Sequence, residues 1–132
     1  QTDIEKNKWA SKNVELSESI SLIVKELYKD EFVNNLRKLT DIEDLFSTDD
    51  GNVELANYHE MYESGFLGTH VDHSSEPSTG LPHVLNIILY LSKDWQCSWG
   101  GSTILADKNG RKIEKLIDFV PNRAVIFLHT PF

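Results

Sequence analysis

The spacing of apolar residues changes after the turn-rich segment 47–52, and this change limits the folds open to the chain. From residue 16 to residue 39, apolar side chains recur at three- and four-residue steps, which predicts amphipathic helices. Beyond the turn, short apolar runs alternate with Gly, Pro and Asn, as strands and turns do. No helix-length segment separates these runs, so a sandwich or jelly roll is favoured over parallel βαβ units. The predicted strands are 55–62, 67–73, 83–91, 102–106, 111–120 and 123–129.

Length, charge and cysteine content restrict the class of protein further. A chain of 132 residues predicts one domain, with residues 1–55 as a helical support region and 56–132 as the β core. The net charge of −8 repels phosphate backbones and anionic lipids, so nucleic acid and membrane surfaces are disfavoured partners. The single cysteine, Cys97, excludes an internal disulfide and fits a reducing compartment, so the cytoplasm is the expected location. No apolar run approaches the ~18 residues of a membrane-spanning helix.

The strand predicted at 83–91 has two different faces, because side chains alternate along a strand. Its odd positions are mostly aliphatic, whereas the even face carries Asn86 and Tyr90. A buried polar group needs a hydrogen-bond partner. Two readings stay open: the pair lines a cavity for a polar ligand, or other protein groups satisfy both side chains.

His70 and Asp72 stand two residues apart in the predicted strand 67–73, so both side chains point to the same side. One imidazole and one carboxylate are two of the three ligands in the 2-His-1-carboxylate triad, which leaves positions on Fe(II) for a chelating co-substrate and O2. The spacing alone is weak evidence, since His-x-Asp also occurs by chance in loops.

Four motifs in the second half of the chain occur in a fixed order. They are YESGFLGTHVDH at 62–73, LNIILYLSKDW at 85–95, WGG at 99–101 and PNRAVIF at 121–127. Together they resemble the prolyl-4-hydroxylase-like branch of the 2-oxoglutarate/Fe(II) dioxygenases. The resemblance covers residues 58–132 and implies a mainly β fold with N-terminal helices, a double-stranded β-helix or jelly roll.

The resemblance also assigns roles to residues. It makes His70 and Asp72 the first two iron ligands, and it places the Tyr90 hydroxyl on the distal carboxylate of 2-oxoglutarate. Asn86 matches another position of the co-substrate pocket, and Tyr62 resembles a further co-substrate tyrosine. The implied cofactor is Fe(II), with 2-oxoglutarate and O2 as co-substrates.

The reaction that this resemblance implies is hydroxylation of a C–H bond, with release of succinate and CO2. Relatives that halogenate replace the aspartate with a small residue, so Asp72 favours hydroxylation. The substrate is expected to be a prolyl residue of a peptide or a small molecule. Trp95 and Trp99 provide either an aromatic wall for it or simple core packing. The alternative function is a jelly-roll binding module that holds a structural metal or none.

The family's second histidine would fall just past Phe132, followed by a basic residue for the 2-oxoglutarate carboxylate. We therefore expect this chain to lack the last strands of the jelly roll. His129 is the local substitute for the third ligand, and the alternative is a strand-end histidine near the pocket rim. Arg123 is expected to have a structural role at the start of its strand.

Overall fold

The computed structural model describes residues 4–11, 17–47, 58–72, 74–75 and 79–129. The chain forms two compact units, Gln1–Leu67 and Gly68–Phe132. In chain order, the elements within the described residues are β1 Glu5–Ser11, α1 Glu18–Leu27, α2 Asp30–Thr40, β2 Tyr58–Leu67, β3 Leu85–Leu89, a short 3₁₀ turn Cys97–Trp99, β4 Thr103–Ala106, β5 Ile113–Ile117 and β6 Ala124–Leu128. The organisation of residues 1–55 and 56–132 as parts of one domain stays a prediction.

The two predicted helices are present in the first unit. Ser17 caps α1, because its hydroxyl accepts a hydrogen bond from the backbone N–H of Ile20. The apolar stripe of α2 buries Val33 and Leu36, which are only 4% and 7% exposed. Asp41 adopts a left-handed backbone conformation with φ of 57° and ends α2. The helical periodicity of the sequence is thus confirmed.

Strand β1 precedes both helices and was not predicted. It pairs antiparallel with β2, from Glu5 opposite Leu67 to Ser11 opposite Tyr58. A bulge interrupts the pairing opposite Asn7, whose side-chain Nδ2 donates to the Glu63 carbonyl oxygen at 3.0 Å. The residues before the helices therefore form half of a two-stranded sheet.

The second unit contains two further antiparallel pairs, β3 with β6 and β4 with β5. In the first pair, Leu85 lies opposite Leu128 and Leu89 lies opposite Ala124. Among the described residues of this unit, the buried ones share the face of β3 that carries its even-numbered side chains. They are Tyr90, Val125 and His129, at 4%, 7% and 8% exposure.

The fold is mainly β with two helices, which is consistent with a jelly-roll-like oxygenase fold. In the described part of the chain, the strands form three two-stranded sheets, and these do not amount to a full double-stranded β-helix. The strand predicted at 67–73 is wrong over its described residues, because β2 ends at Leu67 and residues 68–72 are irregular. Neither helix in the described ranges is long and apolar enough to cross a membrane.

Candidate metal centre

The irregular segment after β2 brings His70 and Asp72 together. The Nε2 atom of His70 lies 3.2 Å from Oδ1 of Asp72. The other ring nitrogen, Nδ1, lies 2.8 Å from the carbonyl oxygen of Gly68, two residues earlier. The predicted pairing of the two side chains is present, although a tight local turn produces it and not a strand.

The Gly68 carbonyl determines which nitrogen of His70 carries the proton. A carbonyl oxygen only accepts, so Nδ1–H is the donor and the neutral imidazole has its lone pair on Nε2. In the neutral ring, that lone pair faces a carboxylate oxygen of Asp72. Two electron-rich atoms in this position repel each other unless a proton or a metal ion lies between them. Metal-binding histidines in proteins characteristically donate their second ring N–H to a carbonyl or carboxylate in this way.

The separation and exposure of the pair fit a metal ion. Two ligand atoms about 2.1 Å from one ion and at right angles to each other are about 3 Å apart. The 3.2 Å between Nε2 and Oδ1 is close to that value. The side chains of His70 and Asp72 are 34% and 44% exposed, so further ligands have access from solvent. An imidazole nitrogen and a carboxylate oxygen also suit Fe(II) chemically.

Asn86 lies beside this pair, on the even face of β3. Its side-chain Nδ2 donates to Oδ2 of Asp72 at 2.7 Å. The two oxygens of the carboxylate therefore have different neighbours, with Oδ1 facing His70 and Oδ2 held by Asn86. The predicted contact between Asn86 and 2-oxoglutarate stays a prediction.

Tyr90 lies four residues further along the same face, at the end of the β3–β6 pair. Its ring stacks on Phe119 with centroids 4.4 Å apart, and its hydroxyl forms a hydrogen bond with Oγ1 of Thr103 on β4. Protein groups thus satisfy both Asn86 and Tyr90, which was the second reading of the sequence pattern. The partner of Asn86 is nevertheless the predicted metal ligand, and the role of Tyr90 in binding 2-oxoglutarate stays a prediction.

His129 lies next to the predicted ligands through a main-chain contact. Its Nε2 is 3.1 Å from the carbonyl oxygen of Asp72, and its ring stacks in parallel on His83 with centroids 4.9 Å apart. In the described part of the chain, no three His, Cys, Asp or Glu side chains form a group able to hold a metal. His129 therefore does not complete a three-residue ligand set with His70 and Asp72 in this structure.

Tyr62 belongs to the first unit, on β2. Its hydroxyl donates to Oε2 of Glu60 at 2.7 Å, and Tyr58 donates to the other oxygen, Oε1, at 3.0 Å. The hydrogen bond to the Glu60 carboxylate, together with its negative charge, raises the pKa of Tyr62 above its ordinary value. The predicted contact of Tyr62 with 2-oxoglutarate is not tested by this arrangement.

The remaining candidates have partners that the sequence pattern left open. Arg123 is structural, since its Nη1 donates to the carbonyl oxygen of Asp118 at 2.9 Å. Trp95 packs against Phe119 and donates to the Gly100 carbonyl, whereas Trp99 is 57% exposed. The sequence did not predict that the Gly68 carbonyl would contact His70 or that Thr103 would contact Tyr90. A backbone carbonyl and a single threonine form no sequence motif, so these contacts are visible only in the structure.

One comparison with known proteins identifies the family of the chain. A family model described as the 2OG-Fe(II) oxygenase superfamily matches residues 53–132, which is more than half of the chain. No curated protein and no solved structure matches the chain. The matched range includes the segment that holds His70 and Asp72, together with β3 and β6. The chain therefore belongs to the 2OG-Fe(II) oxygenase superfamily, whose members use Fe(II), 2-oxoglutarate and O2.

Proposed function

We propose that this oxygenase is a hydroxylase of the prolyl-4-hydroxylase-like branch. It hydroxylates a C–H bond of a prolyl residue in a peptide, or of a small molecule, and releases succinate and CO2. The observation that carries the proposal is the geometry of His70, whose Nδ1 lies 2.8 Å from the Gly68 carbonyl oxygen while its Nε2 faces Oδ1 of Asp72 at 3.2 Å. This pair is suited to bind a divalent cation that is open to co-substrates on its remaining sides.

The chain's own residues have separate tasks in this proposal. His70 and Asp72 hold Fe(II), and Asp72 fills the position that halogenating relatives leave to chloride. When bound, Fe(II) supplies O2 activation coupled to the oxidative decarboxylation of 2-oxoglutarate. Tyr90 binds the distal carboxylate of 2-oxoglutarate by exchanging its hydrogen bond to Thr103 for one to the co-substrate. Stacking on Phe119 fixes the Tyr90 ring, so its hydroxyl is oriented before the co-substrate arrives.

The exposure of the His70–Asp72 pair, the net charge and the cysteine content bear on substrate and location. The partly exposed side chains of His70 and Asp72 suit a substrate that approaches from solvent, such as a peptide or a small molecule. The net charge of −8 opposes nucleic acid and anionic membranes as partners. Cys97 is a free and exposed thiol, which is compatible with the reducing cytoplasm that we propose as the location.

A second candidate function is a binding module with a structural metal or none. It is favoured by one observation: in the ranges that the structure describes, His70 and Asp72 have no third ligand. Turnover of 2-oxoglutarate separates the two candidates, because a binding module forms no succinate.

The test measures succinate formed from 2-oxoglutarate with and without Fe(II), in the presence of proline-containing peptides and free amino acids. His70→Ala and Asp72→Ala should abolish the Fe(II)-dependent part. Asp44→Ala, which removes an exposed carboxylate from the first unit, should leave that part unchanged. Circular dichroism checks that each variant folds. Undiminished turnover in both ligand variants would refute the assignment, and absence of Fe(II)-dependent turnover in the unaltered protein would favour the binding module.

A further inference from the structure

We infer that Asn86 and His129 are positioning residues that hold Asp72 from two sides and leave only Oδ1 for the metal. The inference rests on the proposed function, since it concerns the same iron site. It adds two residues that act through Asp72 and do not touch the metal. Their elements, β3 and the end of β6, are neighbours in one antiparallel pair.

The first anchor acts on the Asp72 side chain. The amide Nδ2 of Asn86 donates to Oδ2 at 2.7 Å, a short distance for an N–H···O bond and typical of an ionised acceptor. Asn86 lies in the paired part of β3, opposite Phe127 of β6, so its backbone is fixed by the ladder. The carboxylate is thereby prevented from rotating, and its Oδ1 stays directed at Nε2 of His70.

The second anchor acts on the Asp72 main chain. Because the carbonyl of Asp72 can only accept, Nε2 of His129 carries the proton of the 3.1 Å hydrogen bond. The ring of His129 is 8% exposed and stacked on His83 at an interplanar angle of 4°. The backbone N–H of His129 donates to the Val84 carbonyl at 2.8 Å, which continues the β3–β6 ladder.

The same hydrogen bond assigns the two ring nitrogens of His129 different surroundings. With its proton on Nε2, the neutral ring has its lone pair on Nδ1. That atom is buried, and no hydrogen-bond partner for it is found in the described part of the protein. The nitrogen that faces Asp72 therefore serves as a hydrogen-bond donor to the main chain in this structure.

The two anchors matter because residues 68–72 have no strand pairing of their own. The segment is held in place by the side chains of Asn86 and His129, which follow Asp72 by 14 and 57 residues. Hydrogen-bond partners that orient metal ligands typically change metal affinity 10- to 100-fold when they are removed. We expect a loss of that size, since each anchor fixes a different part of Asp72.

The test measures the affinity of the intact protein for Mn(II), by the loss of the free-ion electron paramagnetic resonance signal, without 2-oxoglutarate. Asn86→Leu has a similar side-chain size but no amide, and His129→Phe keeps a ring for stacking but has no donor. Each should weaken Mn(II) binding by roughly 10- to 100-fold. The thermal unfolding midpoint without metal identifies a variant that has simply failed to fold, and Asn86→Ser and His129→Leu then replace it.

The conservative variant His129→Gln is the matched control, because its amide nitrogen is placed much like Nε2 and can donate to the same carbonyl. It should bind Mn(II) within about threefold of the unaltered protein, while His129→Asn, whose amide is too short, should not. Equal losses in the Gln and Phe variants would overturn the role of the hydrogen bond. Binding within twofold in Asn86→Leu and His129→Phe would overturn the inference as a whole.

His70→Ala and Asp72→Ala distinguish this inference from the proposed function. If these two variants bind Mn(II) as tightly as the unaltered protein, the metal site itself is wrong. If they abolish binding while the anchor variants do not change it, the metal site stands and only the positioning roles fail.

Discussion

Gly65 lies in the β1–β2 bulge with no room for a side chain, and replacing it with alanine should open this sheet. A Cβ atom at this position would lie 2.7 Å from the carbonyl oxygen of Tyr62 and 3.0 Å from that of Asn7. It would also lie 2.6 Å from Cγ of Met61, but that side chain is flexible and can move aside. The two carbonyls are backbone atoms of the bulge, between the paired positions Lys6–Phe66 and Lys8–Met61, so moving them strains the pairing on either side.

The cost follows from these distances. Non-bonded heavy atoms prefer separations of about 3.5–4.0 Å, so the added methyl group overlaps two oxygens by roughly half an ångström or more. Overpacking of this kind typically costs about 1–3 kcal/mol. Since each 1.4 kcal/mol is a factor of ten, the amide protons of β1 should exchange with solvent roughly 5- to 150-fold faster in Gly65→Ala.

Hydrogen exchange read by mass spectrometry measures this effect locally, with the amides of β3 and β6 as the internal reference. Ser64→Ala is the matched control, because it changes the neighbouring residue at φ of 59° without adding an atom. Exchange of β1 in this control should stay within about twofold of the unaltered protein. If Gly65→Ala and Ser64→Ala exchange at the same rate, the steric argument is wrong.

Two further predictions concern titration. The Asp107 carboxylate accepts hydrogen bonds from the backbone N–H groups of Lys112 and Arg111, which lower its pKa from the ordinary value of 3.8. The contribution of Asp107 to the free energy of unfolding is therefore present above pH 3.8 and is lost as the pH falls through the lowered pKa. Urea unfolding should show that Asp107→Ala destabilises the protein at pH 7. The difference between the variant and the unaltered protein should shrink in acid. Glu60→Gln removes the carboxylate that raises the pKa of Tyr62. Ultraviolet titration of tyrosinate should therefore show the pKa of Tyr62 falling towards 10.0 in this variant. An unchanged titration curve would contradict the contact between Tyr62 and Glu60.

How far the sequence predicted the fold depends on how local each signal is. Helix α2 was found because its apolar stripe is a property of the segment itself. Strand β1 was missed because Glu-Lys-Asn-Lys-Trp-Ala-Ser has neither alternation nor an apolar run. Its strand state comes from its partner β2, almost fifty residues further along the chain, through paired backbone groups that carry no side-chain pattern. A strand that depends on its partner in this way is not visible to periodicity.

The candidate site shows the same division between local and distant causes. The proximity of His70 and Asp72 was predictable from two residues of sequence. It is present although residues 68–72 are irregular, because the bond from Nδ1 of His70 to the carbonyl of Gly68 lies within the same short segment. The partners of Asp72 could not be predicted by spacing, since Asn86 and His129 reach it only when β3 and β6 have paired. If the metal site depended on the local motif alone, any His-x-Asp loop would bind iron equally well. The sheet that supplies the two distant hydrogen bonds is what makes this His-x-Asp segment a better candidate than one that arises by chance.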